Sequence, residues 1–152
     1  MPSASCLCGA CRFQIDSITG TGICHCTNCR KVTGSCFSLN AIVNESALHL
    51  TSGSPKGIDV PGDTGVTSTL RFCGDCGSPL WFEYPPRPDL RVVKAGLLDE
   101  EETFQDLTPM VEQFTKRRPQ WLCAATGASQ FEGQQGTEET GEELKDVMLQ
   151  QK

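Results

Sequence analysis

The chain lacks the long apolar segments that membrane or secreted proteins carry. Among its 152 residues no apolar stretch approaches the roughly 18 residues of a bilayer-spanning helix, so we expect no membrane span. Residues 1–5 have neither a basic start nor an apolar run, and we therefore expect no secretory signal peptide. We also find no internal repeat, which excludes solenoid and propeller architectures.

Positive charge is also scarce. Thirteen lysines and arginines stand against 19 aspartates and glutamates, a net charge of -6. A general nucleic-acid binder should carry a basic face, so we expect neither nucleic acid nor a membrane as partner. Part of the acidity is concentrated after residue 131, where two lysines stand among the acidic residues Glu132, Glu138, Glu139, Glu142, Glu143 and Asp146.

The hydrophobic fraction of 38% is thin for a core of this length, and metal crosslinks would compensate for it. Short alternating segments separated by glycine and proline predict one mainly β domain over residues 1–131 with short helical turns. Strands are expected within 5–16, 38–43, 47–51, 67–72, 80–84 and 90–96, with extended pieces at 110–115 and 128–131. We predict turns at 17–23, an exposed loop at 52–66, a short helix within 99–107 and an acidic, disordered or frayed-helix tail at 132–152.

What the chain has in excess is cysteine, with ten residues of this type. Seven of them form three tight clusters, C-x-C at 6–8, C-x-C-x-x-C at 24–29 and C-x-x-C at 73–76. Such dense spacing does not suit a disulfide ladder but directs several thiolates at one point, as a zinc site requires. Without a secretion signal, the cysteines indicate a reducing compartment, and we expect a cytoplasmic protein.

Seven ligands suggest two zinc ions per chain, one with four ligands and one with three. The favoured pairing joins two distant turns, as in a zinc ribbon, through Cys6, Cys8, Cys73 and Cys76. A competing arrangement joins the first pair to two cysteines of the central cluster. A closed four-cysteine site would be structural. Bound thiolates and zinc together would make the protein about three units more negative.

In the favoured pairing, the central triplet of Cys24, Cys26 and Cys29 has three ligands and an open fourth position. Zinc there would lower the pKa of a bound thiol or water, or polarise a carbonyl. The alternative is that Cys36 or a histidine completes the shell and the site is purely structural. The remaining thiols, Cys11 and Cys123, are predicted to be buried in the core.

The residues around the triplet allow two interpretations each. His25 lies between two ligands of a C-x-C and should point away from them, in a hydrogen-bonding or packing role. Arg30 and Lys31 form either a solvated surface pair or a positive site that offsets the thiolates or holds an anionic substrate. His49 is expected on a solvent face. Aromatic side chains that belong either to the core or to a pocket wall are Trp81, Phe82, Tyr84 and Trp121.

Together these residues resemble the glutathione-dependent formaldehyde-activating (GFA) family, which shares a domain with centromere protein V. The resemblance covers roughly residues 5–131. It rests on Cys6-Leu7-Cys8-Gly9, on Cys24-His25-Cys26-Thr27-Asn28-Cys29-Arg30-Lys31 with Gly34 and Phe37, on Phe72-Cys73-Gly74-Asp75-Cys76-Gly77, and on Lys116-Arg117-Arg118-Pro119-Gln120-Trp121-Leu122. The last of these is similar to the family's C-terminal arginine-tryptophan signature.

The resemblance implies an Mss4-like zinc-binding β-sheet fold. It also implies a structural zinc at Cys6, Cys8, Cys73 and Cys76 and a catalytic zinc at Cys24, Cys26 and Cys29. The family's named activity is condensation of formaldehyde with glutathione, a carbon–sulfur lyase reaction run in reverse. This chain departs from the usual pattern at Cys11 and Cys36, and its acidic tail argues against a chromatin role.

Three functions follow as hypotheses. The first is a zinc-dependent carbon–sulfur lyase acting on a small thiol or carbonyl adduct, in which Arg30, Lys31 or Arg71 holds the carboxylates of glutathione. The second keeps the zinc site but acts as a glutathione-independent lyase, dehydratase or isomerase on a specialised metabolite. The third is a non-catalytic, zinc-stabilised binding module, with Cys36 as a fourth ligand. The expected partner is a small-molecule substrate, and a homodimer is left open.

Overall fold

A computed structural model describes residues 1–135 of the chain, and within them eleven short strands and two short helices. The strands are β1 Ser3–Ser5, β2 Arg12–Ile15, β3 Gly20–Cys24, β4 Ser38–Asn44, β5 Leu48–Ser52, β6 Lys56–Pro61, β7 Thr67–Phe72, β8 Pro79–Tyr84, β9 Arg87–Lys94, β10 Val111–Gln113 and β11 Ser129–Phe131. The helices are α1 Thr27–Thr33 and α2 Glu101–Gln105, and short 3-10 turns occupy Glu45–Ala47, Ala95–Leu97 and Thr115–Arg117. The predicted mainly β class is confirmed.

The strands form two sheets. The smaller has the order β1-β2-β5, and the larger has the order β11-β10-β3-β4-β9-β8-β7-β6. Neighbouring strands are antiparallel except that β10 runs parallel to both β3 and β11. The late strand β10 therefore lies directly beside β3, whose last residue is Cys24. This pairing brings the C-terminal part of the domain to the central cysteine cluster.

The core contains buried residues from both sheets, chiefly from β1, β2, β4, β8 and β9. On β4, Ala41 and Val43 are buried in it, and Phe13 of β2 meets Trp81 of β8 edge to face with ring centroids 5.6 Å apart. Because side chains alternate along a strand, Asn40 and Ile42 of β4 point to the opposite face. That second face of the large sheet borders a cavity.

Two segments differ from the sequence expectation. Residues 52–66 were expected to be an exposed loop, but β6 pairs with β7 over six residues and forms the edge of the large sheet. Pro61 ends that edge strand, where a missing N–H costs no ladder hydrogen bond. Residues 17–23 were expected to be turns, yet most of them belong to β3. A Cβ at position 22 would lie 2.8 Å from Cγ2 of Val111, so glycine here permits the close approach of β10.

Most other predicted elements agree with the structure, including the short helix within 99–107 and an extended segment within 110–115. Two are displaced, since β1 begins before the expected segment 5–16 and β9 begins and ends earlier than the expected 90–96. Among the described residues, no helix is long and apolar enough to cross a membrane. The division at residue 131 stays a prediction, since most of the proposed tail lies outside the described residues. Directly after that boundary, the amide of Phe114 donates to the Gly133 carbonyl at 2.9 Å.

Candidate metal centres and the adjoining cavity

The first and third cysteine clusters meet between the turn after β1 and the turn after β7. The sulfur atoms of Cys6, Cys8, Cys73 and Cys76 all lie within 4.8 Å of one another. Two of these separations, 3.5 Å for Cys6–Cys8 and 3.8 Å for Cys8–Cys73, approach the roughly 3.8 Å edge of a tetrahedron with zinc–sulfur bonds of 2.3 Å. The favoured pairing is therefore the one observed, and the competing pairing with the central cysteines is wrong.

Hydrogen bonds around this four-cysteine group favour thiolates. Burial opposes ionisation of Cys6, but the amide of Cys11, which donates to its Sγ at 3.2 Å, holds its pKa below the usual value. Hydrogen bonds from Ser78 lower the pKa of Cys76 to about 5. The amide of Ala10 acts in the same direction on Cys8, yet the neighbouring thiols of Cys6 and Cys76 raise its pKa to about 12. Four crowded sulfurs carry their full negative charge together only beside a cation, so the donor set fits zinc.

The central triplet lies where β3 meets α1. Cys24 ends β3, Cys26 is the N-cap of α1, and Cys29 lies in its first turn, with all three sulfurs within 4.8 Å. The Cys29 amide donates to Sγ of Cys26 at 3.3 Å, which is the capping bond that starts the helix. The spacing C-x-C-x-x-C thus brings the three sulfurs to one point.

The ionisation of each sulfur in the triplet affects that of the other two. Hydrogen bonds with Cys26 and Cys29, together with burial, raise the pKa of Cys24. The same bonds from Cys24 and Cys29 lower the pKa of Cys26 to about 2. A divalent cation would remove this competition, so these donors also fit a zinc ion. In the described part of the chain, neither Cys36 nor a histidine joins the group.

His25 is completely buried, and its ring does not face the sulfurs. Its Nε2 lies 2.7 Å from Oε1 of Glu112, and its Nδ1 lies 3.4 Å from the Cys36 carbonyl. The predicted hydrogen-bonding role of His25 is confirmed. Glu112, from β10, was not found by sequence reasoning, because only the parallel pairing of β10 with β3 brings it there.

Glu112 is a buried carboxylate held by four donors. Besides His25, it accepts bonds from Nη1 of Arg118 at 3.0 Å, from the Ala125 amide at 2.9 Å and from Nε2 of Gln130 at 2.9 Å. Burial alone would raise the pKa of Glu112, but these bonds outweigh it and lower the pKa to about 2. The network ties Arg118 of the arginine-tryptophan segment to the loop that carries the triplet.

A cavity of about 500 Å³ opens beside the triplet, and Cys24, Cys26 and Cys29 are among the residues that line it. Its floor is the second face of β3, β4, β8 and β9, and residues 108–114 and 127–135 contribute to its cover. Apolar side chains form much of the wall, notably Ile42, Val60, Val66, Phe82, Val92 and Met110. This volume lies within the usual range for small-molecule sites, which is roughly 300–1,000 Å³.

One buried cation, Lys94, faces this cavity from the end of β9. Its side chain is only 5% exposed, and its Nζ donates to Oγ of Ser38 at 2.9 Å and to Oδ1 of Asn40 at 2.8 Å. The Nζ atom also lies 4.8 Å from the ring centroid of Phe82. Burial lowers the pKa of Lys94, while the charge of the nearby cysteines acts to raise it. Sequence reasoning missed this residue, because only the register of β4 with β9 pairs Lys94 with Asn40.

The turn between β6 and β7 reaches across to α1. Nδ2 of Asn28 donates to the Pro61 carbonyl at 2.7 Å, and Arg117 forms an ion pair with Asp63. Nη1 of Arg117 also donates to Oγ1 of Thr27 at 3.3 Å. The contacts hold this turn, which contributes lining residues to the cavity, close to the triplet.

The cations predicted to bind glutathione lie elsewhere. Arg30 and Lys31 are exposed on α1, and Arg71 pairs with Glu83 at 3.0 Å. None of the three is among the residues that line the 500 Å³ cavity. Their proposed role in anion binding therefore stays a prediction that the cavity itself does not support.

Other predicted positions have mixed outcomes. Cys11 is buried as expected, but Cys123 is exposed, so its assignment to the core is wrong, because it lies in an irregular surface segment after the Thr115–Arg117 turn. The aromatic side chains divide between core and cavity. Trp81 belongs to the core, whereas Phe82 and Tyr84 line the cavity. Trp121 is 73% exposed and so belongs to neither. His49 is exposed as expected, with Nε2 2.8 Å from Oδ2 of Asp16.

Comparison with known proteins agrees with this geometry. Residues 1–117 match the family model described as glutathione-dependent formaldehyde-activating enzyme. A crystal structure of a Rhodobacter sphaeroides protein is similar with a TM-score of 0.52 and 18% identity, over 69% of this chain and 96% of that one, which supports the fold alone. A comparison with curated protein sequences gives no significant match. The sheets and the cysteine-bearing turns are consistent with an Mss4-like fold. Because the match spans more than half of its length, the chain belongs to the glutathione-dependent formaldehyde-activating family.

Proposed function

We propose that this protein is a zinc-dependent carbon–sulfur lyase that acts on a small thiol or carbonyl adduct. The observation that carries the proposal is the three-cysteine group on the wall of a 500 Å³ cavity. Three ligands leave a tetrahedral metal with one position for a substrate atom, as catalytic zinc sites do. Family membership supports a reaction of the formaldehyde-activating type or a related lyase reaction.

The two cysteine groups would have separate roles. Cys6, Cys8, Cys73 and Cys76 would hold a structural zinc that joins the turns after β1 and β7. Cys24, Cys26 and Cys29 would hold the second zinc, which when bound supplies acidity to a coordinated thiol or polarises a carbonyl. The chain's own contribution is to hold the three sulfurs together where β3 meets α1, with Cys29 buried and Cys24 and Cys26 partly exposed.

His25 and Glu112 would act as positioning residues. The buried hydrogen bond between them fixes the loop that carries the triplet. Neither residue belongs to the three-cysteine group itself. The side chain of Lys94 is the charged group of this chain that would contact an oxygen of the substrate. Glutathione as co-substrate would need further cations, for which Arg30, Lys31 and Arg71 stay the candidates.

A second candidate is a glutathione-independent lyase, dehydratase or isomerase that uses the same zinc site. Its support is that the described residues lining the cavity include a single lysine and no arginine. A non-catalytic binding module would need a fourth protein ligand, and Cys36 is not in the triplet group. We further propose a small-molecule substrate rather than nucleic acid or membrane, and a reducing, cytoplasmic setting, since none of the ten cysteines is in a disulfide.

The test combines a zinc count with an assay of Cys26→Ser. Wild-type protein should carry about two zinc ions per chain and turn over a small thiol–carbonyl adduct, for which formaldehyde with glutathione is the first pair to assay. Cys26→Ser should retain about one zinc and lose at least about 100-fold in rate, whereas the exposed Cys123→Ser serves as control. One zinc in the wild type, or full activity in Cys26→Ser, would refute the two-site catalytic account. Tight zinc binding without turnover of glutathione adducts would favour the second candidate.

A further inference from the structure

We propose that the cavity takes a substrate with a compact apolar body and a single anionic oxygen group, bound by Lys94, in preference to a peptide thiol such as glutathione. The inference rests on the proposed function in one respect, which is that this cavity is the substrate site. It goes beyond that function because it names the chemical class of the substrate. It also singles out Lys94 as the residue that determines specificity.

The ammonium group of Lys94 keeps one hydrogen-bond donor unused among the described residues. An ammonium group donates up to three hydrogen bonds, and within residues 1–135 Lys94 donates two, to Ser38 and Asn40. No carboxylate forms an ion pair with it in the same part of the chain. Both partners are neutral and fix the direction of the side chain, so one N–H remains for a ligand. A buried cation with an unused donor is a preorganised site for an oxygen anion.

Few charged side chains of the described residues line the wall of the cavity. Among residues 1–135, the only charged side chain besides Lys94 that lines the cavity outside the cysteines is Asp63, which is paired with Arg117. Glutathione carries two carboxylates and one ammonium group at neutral pH. One carboxylate would pair with Lys94, and the second would lie in the cavity without a cation, which disfavours binding of glutathione.

Apolar side chains form the cavity surface next to Lys94. The ring of Phe82 lies 4.8 Å from Nζ, and Ile42 and Val92 line the same floor on the adjacent strands β4 and β9. A flat or ring-shaped body would cover these side chains while its oxygen group reaches the ammonium. The volume of about 500 Å³ leaves room for a body of two or three fused rings.

Calorimetry on the full-length, zinc-loaded protein tests this directly with three probes of known charge. The probes are 2-naphthoate, its neutral amide 2-naphthamide, and glutathione. We expect 2-naphthoate to bind at least about 10-fold more tightly than either other probe, since a hydrogen bond to a charged group contributes about 10- to 100-fold in affinity. Lys94→Met should abolish the preference for the anion over the amide. Lys56→Met, the same change at an exposed position of β6, should leave it unaltered.

Three results would overturn the proposal. They are equal binding of naphthoate and naphthamide to the wild type, tighter binding of glutathione, and an anion preference that survives in Lys94→Met and so belongs to the metal. If Lys94→Met does not fold, the wild-type ranking and the charge-retaining Lys94→Arg decide, since the arginine variant should keep the preference. Because the readout is affinity, inactive protein with the expected ranking would refute only the lyase reaction. Active protein that prefers glutathione would refute only the substrate class.

Discussion

Two buried charged side chains, Lys94 and Glu112, lie near the triplet and differ in how their charges are satisfied. Lys94 is held by neutral partners and faces the cavity, whereas Glu112 is saturated by donors and faces away from it. A saturated buried carboxylate stabilises structure, and a buried ammonium with an unused donor is available to a ligand. Glu112 therefore has a structural role and Lys94 a binding role, although both lie on strands beside the cysteines.

Glu112 gives the residue-scale prediction. Its folded pKa of about 2 is below the ordinary value of 4.5, so its contribution to stability is present above pH 4.5 and is lost as the pH falls towards 2. Glu112→Gln should lower the free energy of unfolding by about 3 kcal/mol at pH 7, because Arg118 loses its buried partner. The difference from wild type should shrink as the pH falls from 4.5 to 2, measured by urea unfolding across that range.

A constant difference between the two proteins over that pH range would contradict the assigned role of Glu112. Glu132→Gln, an exposed carboxylate of the described chain, is the matched control and should behave as wild type at every pH.

At the scale of elements, the approach of β10 to β3 decides whether the cavity has a cover. Glycine at position 22 permits that approach, since a Cβ there would lie 2.8 Å from Val111. Gly22→Ala should therefore lower the free energy of unfolding by about 1–3 kcal/mol through overpacking. The control is Gly96→Ala, whose added Cβ would meet nothing within 4 Å. Equal stability of the two variants in urea unfolding would show that β10 does not pack as described.

The turn between β6 and β7 is a second element that borders the cavity. Its ion pair joins Asp63 to Arg117, and both side chains are partly exposed. Asp63→Asn should raise the amide hydrogen-exchange rates of residues 62–66 by about 2- to 5-fold, as expected for a surface ion pair worth about 0.5–1 kcal/mol. Asp89→Asn breaks a similar exposed pair with Arg87 in the β9 strand and should leave residues 62–66 unchanged. Unaltered exchange in Asp63→Asn would mean that the Asn28 contact alone holds the turn.

At the scale of the whole molecule, local patterns predicted more than long-range pairing did. The spacing of cysteines indicated both metal groups, because C-x-C and C-x-x-C place sulfurs together within one turn. The two buried charges were missed, because Lys94 meets Asn40 from 54 residues away and Glu112 meets His25 from 87 residues away along the chain. Strand β6 was missed for a related reason: its glycines and proline predict a loop, and only pairing with β7 makes it a strand.

The four-cysteine group should stabilise the whole fold, since it joins turns that are 65 residues apart. Cys73→Ser should therefore lower the midpoint of thermal unfolding by 10 °C or more, as loss of a structural metal in a small domain is severe. Cys26→Ser, which removes a ligand of the other group, should shift the midpoint by less than half as much. Scanning calorimetry on zinc-loaded proteins measures both, and a reversed order would exchange the roles of the two groups.

The central claim is that the triplet holds zinc with one position open to the cavity. Zinc K-edge X-ray absorption on the full-length protein, with the metal content measured on the same sample, tests it most directly. We predict two zinc ions per chain with an average of about 3.5 sulfur neighbours each, because one group offers four cysteines and the other three. The remaining neighbour should be an oxygen or nitrogen atom. Four sulfurs around every zinc, or a single zinc per chain, would contradict the open catalytic site.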